Sequence, residues 1–239
     1  MNIYAFKKKH YNRRELLTFI SLFGVMGTIS FLLNGCNFYR GFRQIEGEVL
    51  LNGRRVSSEQ MKGPDGVPVP SDASISTGAQ ASAVFVIGRD AFLMRENSQV
   101  ELNPNLIDRK KSEISGFNLR SGAILSVFAR NKRTLRTLSA LIGIRGTGVY
   151  IETDSDKTYV CTCYGTSYMQ VIDSPEINET VTTLYHDQPR SIYSREKRID
   201  HAPVINHSDQ ELILLERLVG RVPPFVKQQR DEGRGSNGY

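Results

Sequence analysis

Thr137-Leu138-Ser139-Ala140-Leu141-Ile142-Gly143-Ile144-Arg145-Gly146-Thr147-Gly148-Val149-Tyr150-Ile151 is the stretch that decides the fold. Ile, Val, Thr and Tyr favour extended backbone packed on a pleated surface. Three glycines interrupt that run. Glycine in a strand marks a bulge, a sharp bend or a close backbone approach. The pattern therefore reads as β-prone backbone with a bulge, a bend or a close approach at its glycines.

The same texture extends outward in both directions. Ile45 to Leu51 alternates and ends at Asn52-Gly53, the strongest short-range hairpin signal between apolar runs. Residues 62–70 form a Gly- and Pro-rich loop. Ser76-Thr77-Gly78 is expected to open a strand through Ala83–Ile87. Gly88-Arg89-Asp90 turns it into Ala91–Met94, and Asn97-Ser98 turns again into Gln99–Leu102. Asn103-Pro104-Asn105 ends that run. Phe117–Leu119, Ser121-Gly122 and Ala123–Phe128 read as a further hairpin. Tyr159–Tyr164 and Tyr168–Ile172 follow, with turns at Asp154-Ser155-Asp156 and Gly165-Thr166. Short strands with turns this dense predict an all-β domain, a sandwich or a barrel-like fold.

These residues carry a resemblance. Thr137, Ala140, Gly143, Arg145, Gly146 and Thr147 are similar to the signature of the FecR-domain family, in which a Thr-Pro-x-Ala-like strand runs into Gly-Val-Arg-Gly-Thr and a second strand. Leu138 stands where the family often has Pro. The family's rhythm of Thr-Gly, strand, turn, strand and Asn-Ser step is matched at Thr77-Gly78 and Asn97-Ser98. The resemblance spans about residues 45–185 and implies an all-β extracytoplasmic module, an antiparallel sandwich or a coil of short hairpins, that binds or signals. Regulators of the family add a cytoplasmic domain that controls a sigma factor. Here about 14 residues precede the apolar segment, too few to fold, so the anti-sigma role is not implied for this chain.

Four regions are expected. Residues 1–36 are a basic n-region plus a hydrophobic export signal or membrane anchor, 37–204 the FecR-like β domain, 205–227 a C-terminal helix with a Pro-containing extension, and 228–239 a disordered tail. Lys7, Lys8, Lys9, Arg13 and Arg14 precede the uncharged, mostly apolar Leu16–Leu33. That is the layout of an export signal and is also about long enough to span a bilayer. Arg13-Arg14 before the apolar run resembles a twin-arginine signal. Leu33-Asn34-Gly35-Cys36 resembles a lipobox, with Cys36 as the lipidated residue, although Asn34 departs from the usual small residue. A cleaved lipoprotein, an uncleaved anchor and a secreted protein all remain open. Each places the β domain outside the cytoplasm, and the first two make it periplasmic and anchored to a bacterial membrane.

The 239-residue chain carries a formal net charge of +6. Removing residues 1–36 leaves 26 basic and 24 acidic residues, a net of +2. Its remaining charge is nearly balanced and no basic stripe interleaves with aromatics, so nucleic acid is not an expected partner. Gly-x-Ser-x-Gly, His-Glu-x-x-His and phosphate-loop motifs are absent from the sequence, and no enzyme activity is expected. Asp154 and Asp156 read as solvated turn carboxylates. Arg145 either ties its turn to nearby acceptors or meets an anionic ligand.

Ser208-Asp209-Gln210-Glu211 is a capping box before Leu212–Val219, with Gly220 and Pro223-Pro224 as stops. It predicts one short C-terminal helix over about 209–219, its apolar face docked on the β domain. Cys161 and Cys163 are two apart in a predicted strand and share a face. Same-face neighbours have Cβ atoms about 6–7 Å apart, whereas a disulfide wants about 3.8 Å. They are buried core thiols or, with a downstream His186, His201 or His207, the ligands of a soft-metal or haem sensor or a redox pair, and a disulfide strained at a turn stays open. No cofactor is required by the rest of the chain. Tyr150, Tyr159, Tyr164 and Tyr168 are candidates for sugar stacking, the feature that would favour a peptidoglycan- or carbohydrate-binding envelope protein over a partner-binding signalling or assembly module. The identity of any partner is not encoded in these patterns.

Overall fold

The computed structural model describes residues 40–62, 67–102, 107–108, 113–114 and 116–226. Arg13, Arg14, Cys36, the apolar segment 16–33 and the tail 228–239 lie outside the described residues. Among the described residues no helix is long and apolar enough to cross a membrane.

The fold is all-β with one short C-terminal helix. The first strands are β1 (Gly41–Glu46), β2 (Val49–Leu51), β3 (Arg54–Arg55), β4 (Ser74–Thr77), β5 (Ser82–Ile87), β6 (Asp90–Met94) and β7 (Gln99–Leu102). Then come β8 (Ile107–Asp108) and β9 (Glu113–Ile114), which pair with each other, and the long strands β10 (Gly116–Val127), β12 (Ala140–Thr153) and β13 (Lys157–Val171). The remainder are β11 (Lys132–Arg136), β14 (Ser174–Thr183), β15 (Arg190–Tyr193), β16 (Arg198–His201) and the helix α1 (Asp209–Leu218).

Two layers emerge from the pairing. One runs β16-β15-β13-β12-β10-β6-β5-β1, and the other β14-β13-β12-β11-β10-β7-β4-β2-β3. The strands β10, β12 and β13 belong to both. The N-terminal half of β10 pairs with β7 and its C-terminal half with β6 and β12. Each long strand bends midway at a glycine of positive φ: Gly122 (78°), Gly146 (59°) and Gly165 (93°). A side chain at Gly122 would also meet the Ser98 backbone, its ideal Cβ lying 2.6 Å from Ser98 Cα.

Four sequence expectations are corrected here, three of them by these bends. The hairpin expected over Phe117–Phe128 is a single strand, β10. The expected Gly165-Thr166 turn lies inside the continuous strand β13, and Arg145-Gly146-Thr147 is a bulge inside β12; register shifts fall between Arg145 and Gly148, where Gly146 and Thr147 face Gly165, and again between Gly148 and Val149, where Cys163 is the extra residue on β13. Bulges insert a residue and bend the strand without ending it. Ser76 and Thr77 end β4, and the strand expected to follow them begins anew at Ser82. One pair, β10 with β11, is parallel, against an otherwise antiparallel pattern.

Local chemistry elsewhere follows the sequence. Asn52 and Gly53 both take positive φ in the β2–β3 hairpin, as a two-residue primed turn requires. The Thr77 hydroxyl accepts from the Ser98 N–H (2.9 Å) and donates to Arg95 O (2.6 Å), tying the two turns together. Asp154 Oδ1 accepts from the N–H groups of Asp156 and Lys157. At α1 the Ser208–Glu211 capping box is complete, and Gly220 (φ 71°) follows the last turn.

The interior between the layers holds Phe42, Phe85, Phe92, Phe117 and Phe128, with Ile75, Ile124, Ile142, Ile151 and Val160. A second apolar cluster covers the opposite face of the first layer. There Val84, Leu93, Leu125, Tyr150, Tyr159, Cys161 and Cys163 pack under Leu212, Leu215 and Phe225. The C-terminal segment thus forms a third layer, and burial on both sides explains why β5 reads as a continuous apolar run.

Candidate metal centre

Cys161 and Cys163 stand on β13, fully buried and unpaired, with Cys161 opposite Tyr150 of β12. Period-two alternation turns both sulfurs toward the C-terminal layer. His186 reaches them from the turn after β14. It adopts left-handed backbone (φ 46°) and donates its N–H to Cys163 O at 3.0 Å. The turn is fixed by Thr183, whose hydroxyl donates to Asp187 and accepts from Tyr185 N–H.

His207 comes from the segment that leads into α1. The Tyr159 hydroxyl donates to Pro203 O (2.8 Å) and accepts from Ile205 N–H (3.3 Å). Asn206 is clamped between Glu152 (2.9 Å) and the Arg95 guanidinium (2.8 Å), and Arg95 also pairs with Glu211 at 2.7 Å. The His207 ring stacks on Tyr150 with centroids 4.8 Å apart.

One ligand atom from each of Cys161, Cys163, His186 and His207 lies within 4.8 Å of the other three. Cys161 Sγ is 3.5 Å from His186 Nδ1, and His186 Nδ1 is 3.0 Å from His207 Nε2. The outward nitrogens are also occupied. His186 Nε2 faces Asp209 Oδ1 at 3.2 Å, Tyr185 donates to the other Asp209 oxygen at 2.7 Å, and His207 Nδ1 faces Ile205 O at 2.6 Å.

Charge is organised around this cluster. Burial opposes a charge on His186, but Asp209 and the Cys161 sulfur outweigh it and push its pKa up to about 9. Cys161 is held below the usual thiol range by its hydrogen bond with Cys163, against burial and with help from both histidines. Burial raises Cys163, reinforced by Cys161. Asp209 is lowered despite burial, through His186 and Tyr185.

His201, a sequence candidate, lies elsewhere. It is exposed on β16, with Nδ1 3.0 Å from the Arg190 guanidinium that also grips Glu179. His186 takes the expected place, because the β13–β14 hairpin returns the chain beside Cys163 while β16 runs along the far side of β15. The sugar-stacking expectation also fails for three of its four tyrosines: Tyr150, Tyr159 and Tyr164 are buried, and Tyr168 alone is exposed.

The signature residues serve the backbone. Thr137 is buried, accepts from the Ser139 and Ala140 N–H groups, and shares a hydrogen bond with Thr158 at 2.6 Å. Ala140 enters the interior core. Gly143 is open, Gly146 supplies the bulge, and Gly148 packs against the Tyr164 ring. Arg145 is exposed at the last paired position before the bulge. Thr147 falls within β12.

Two cavities lie nearby. One of 590 Å³ is lined by Arg95, Glu152, Tyr150 and Asn206, and one of 380 Å³ by Arg130, Tyr164, Glu216 and Arg221. Neither is lined by the four donors.

No family model matches the chain, and no curated protein matches it. Two crystal structures of a candidate anti-sigma factor from Parabacteroides distasonis ATCC 8503, at 1.65 Å and 2.50 Å resolution, are similar at 11% identity, with TM-scores of 0.45 and 0.44. The matched region covers 58% of this chain and 62% of each neighbour, so this chain spans under two thirds of their length. Their description is of the regulatory kind that the Gly143–Thr147 resemblance names; it belongs to those proteins and carries no functional argument here.

Proposed function

We propose that this protein is an exported, membrane-tethered module of the FecR-domain type, held in the periplasm, that binds a partner protein or envelope ligand in signalling or assembly and is not an enzyme. The observation that carries the reading is the enclosure of its reactive groups. The thiols and their histidines lie between the first sheet layer and the C-terminal layer, and all four donors converge on one another. Donors that converge on one another in this way suit a holding role better than turnover of a substrate, which supports the reading. The basic-then-apolar residues 7–33 support export and tethering.

Strand β14 is the element best suited to docking. Among the described residues it pairs only with β13, leaving one edge for strand addition. Thr180 and Thr182 are exposed along it. The test is in-cell crosslinking of the tagged full-length protein, followed by mass spectrometry. A reproducible protein partner crosslinked at β14 and lost in Thr180→Lys is the expected result. Recovery of peptidoglycan or polysaccharide alone refutes partner docking and moves the role to envelope binding.

A further inference from the structure

We infer that Cys161, Cys163, His186 and His207 form a closed, tetrahedral site for one zinc ion, bound through the two sulfurs, His186 Nδ1 and His207 Nε2. The inference deepens the reading above and rests on the same four donors; the two fail separately, because crosslinking reads the partner and elemental analysis reads the ion.

The first argument is distance. Zinc bonds of about 2.3 Å to sulfur and about 2.0–2.1 Å to imidazole place neighbouring ligand atoms of a tetrahedron about 3.4–3.8 Å apart. The observed separations of 3.5 and 3.0 Å, with all four atoms inside 4.8 Å, lie around that shell. Small side-chain adjustments complete it.

The second argument concerns protons. His207 Nδ1 faces a carbonyl oxygen, which can only accept, so Nδ1 carries its hydrogen and Nε2 presents a lone pair. His186 Nε2 faces a carboxylate oxygen and carries its hydrogen likewise. The two remaining nitrogens point at each other across 3.0 Å. Two lone pairs cannot face each other in a buried site without a cation between them, either a proton or a metal ion. With two thiols in the same shell, the donor set is that of a thiophilic metal.

Third, the outer contacts are those that metal-bound histidines need. A carboxylate and a backbone carbonyl fix the ring orientations and raise nitrogen basicity. Asp209 is itself held by Tyr185 at the first turn of α1. Two thiolates neutralise the ion's charge, and binding releases two protons. Mixed sulfur and imidazole donors disfavour magnesium and calcium. A haem macrocycle has no slot, because the His207–Tyr150 stack covers a shell the size of one ion. Four protein ligands with no open position define a structural site rather than a catalytic one. The ion would join β13, the turn after β14 and the approach to α1, and would keep two thiols reduced in an oxidising compartment, where free cysteines are otherwise uncommon.

The test uses the full-length chain, purified in detergent under reducing, anaerobic conditions and supplied with zinc. One zinc per chain is expected by elemental analysis, lost in Cys161→Ser and His207→Gln and retained in His201→Gln. Asp209→Asn should weaken zinc binding about 10–100-fold, as loss of an orienting partner does. Because a ligand variant can misfold, wild-type protein loaded with cobalt supplies a second readout: the intense visible absorption of tetrahedral cobalt thiolate. Absence of stoichiometric zinc, zinc retained without Cys161, a six-coordinate cobalt spectrum, or binding of copper(I) in preference to zinc would each overturn the assignment.

Discussion

Replacing the three glycines of Gly143-Ile144-Arg145-Gly146-Thr147-Gly148 by alanine, one at a time, separates three physical demands that the motif combines. At Gly143 the nearest atom to an added Cβ is Tyr168 Cβ at 3.9 Å, an ordinary contact. Alanine there restricts the unfolded chain and should be neutral or stabilising by about 0.5 kcal/mol. At Gly146 the space is adequate, with Arg130 Cα at 3.4 Å, but φ is +59°. A left-handed alanine costs about 1–2 kcal/mol, offset in part by the same entropy gain, for a net loss of about 1 kcal/mol. At Gly148 the backbone is unexceptional, yet a Cβ would lie 2.6 Å from Tyr164 Cε1 and 2.7 Å from Cζ. That ring cannot swing away cheaply, because Tyr164 is 3% exposed and its hydroxyl donates to Glu216, itself 3% exposed. Overpacking costs about 1–3 kcal/mol, and weakening the bond to a buried carboxylate adds about 1 kcal/mol, giving about 2–4 kcal/mol. The chain has no Trp, so urea unfolding of the full-length protein followed by far-ultraviolet circular dichroism is the assay. The order of stability Gly143→Ala, Gly146→Ala, Gly148→Ala is the claim. A Gly143→Ala loss equal to that of Gly148→Ala would refute it.

Other perturbations reach different parts of the fold. Asp90→Ala takes the paired carboxylate from the buried Arg133 guanidinium, 3% exposed and 2.9 Å from Asp90 Oδ2, leaves that charge only neutral acceptors such as Lys132 O, and should cost about 3 kcal/mol in the same unfolding assay. Pairing it with Arg133→Met should recover most of that loss. The Arg190 guanidinium holds Glu179 below the usual carboxylate range. The stability from this pair is therefore present above the ordinary glutamate pKa and lost as pH falls through the lowered native one, and Glu179→Gln should flatten that acid limb of a thermal-melt pH series. Ser208→Ala removes the acceptor for Glu211 N–H and should lower stability by about 1 kcal/mol in thermal melts.

Turns whose geometry depends on one or two residues were legible in the sequence. Asn52-Gly53, Gly88, Asn97 and the Ser208–Glu211 box each solve a local backbone problem, and each stands where its residues predict. The long strands were not legible, because their alternation slips midway. On β10, Phe117 and Leu119 face the interior, and so does Ile124, whereas Ala123 and Leu125 face the C-terminal layer. A change of parity inside one strand looks, in sequence, like the end of one strand and the start of another. The metal donors divide in the same way. The Cys-x-Cys spacing placed both thiols on one face, but choosing among three downstream histidines requires knowing which turn the topology folds back onto β13. Asp187 and Thr183 beside His186 mark a turn, and nothing in that segment names its distant neighbour.

The glycine motif and the four donors are connected through that slip in parity. Before the bulge in β12 the interior residues are Ala140, Ile142 and Ile144; after it they are Val149 and Ile151. An uninterrupted strand would have carried Tyr150 and Glu152 inward. On β13 the interior residues Met169 and Val171 give way across Gly165 to Val160, so an uninterrupted strand would have turned Cys161 and Cys163 into the space between the sheets. Shifting by one residue exchanges the faces of everything beyond it. The paired bulges at Gly146-Thr147 and Cys163-Tyr164 bring Tyr150 and both thiols to the face covered by the C-terminal layer, where His207 stacks on Tyr150 and His186 arrives from the turn. The motif thus needs no ligand contact of its own to matter for the site. It decides which side of the sheet the thiols face, and that is why a signature concerned only with backbone conformation stands across the strand pair from the donors it places.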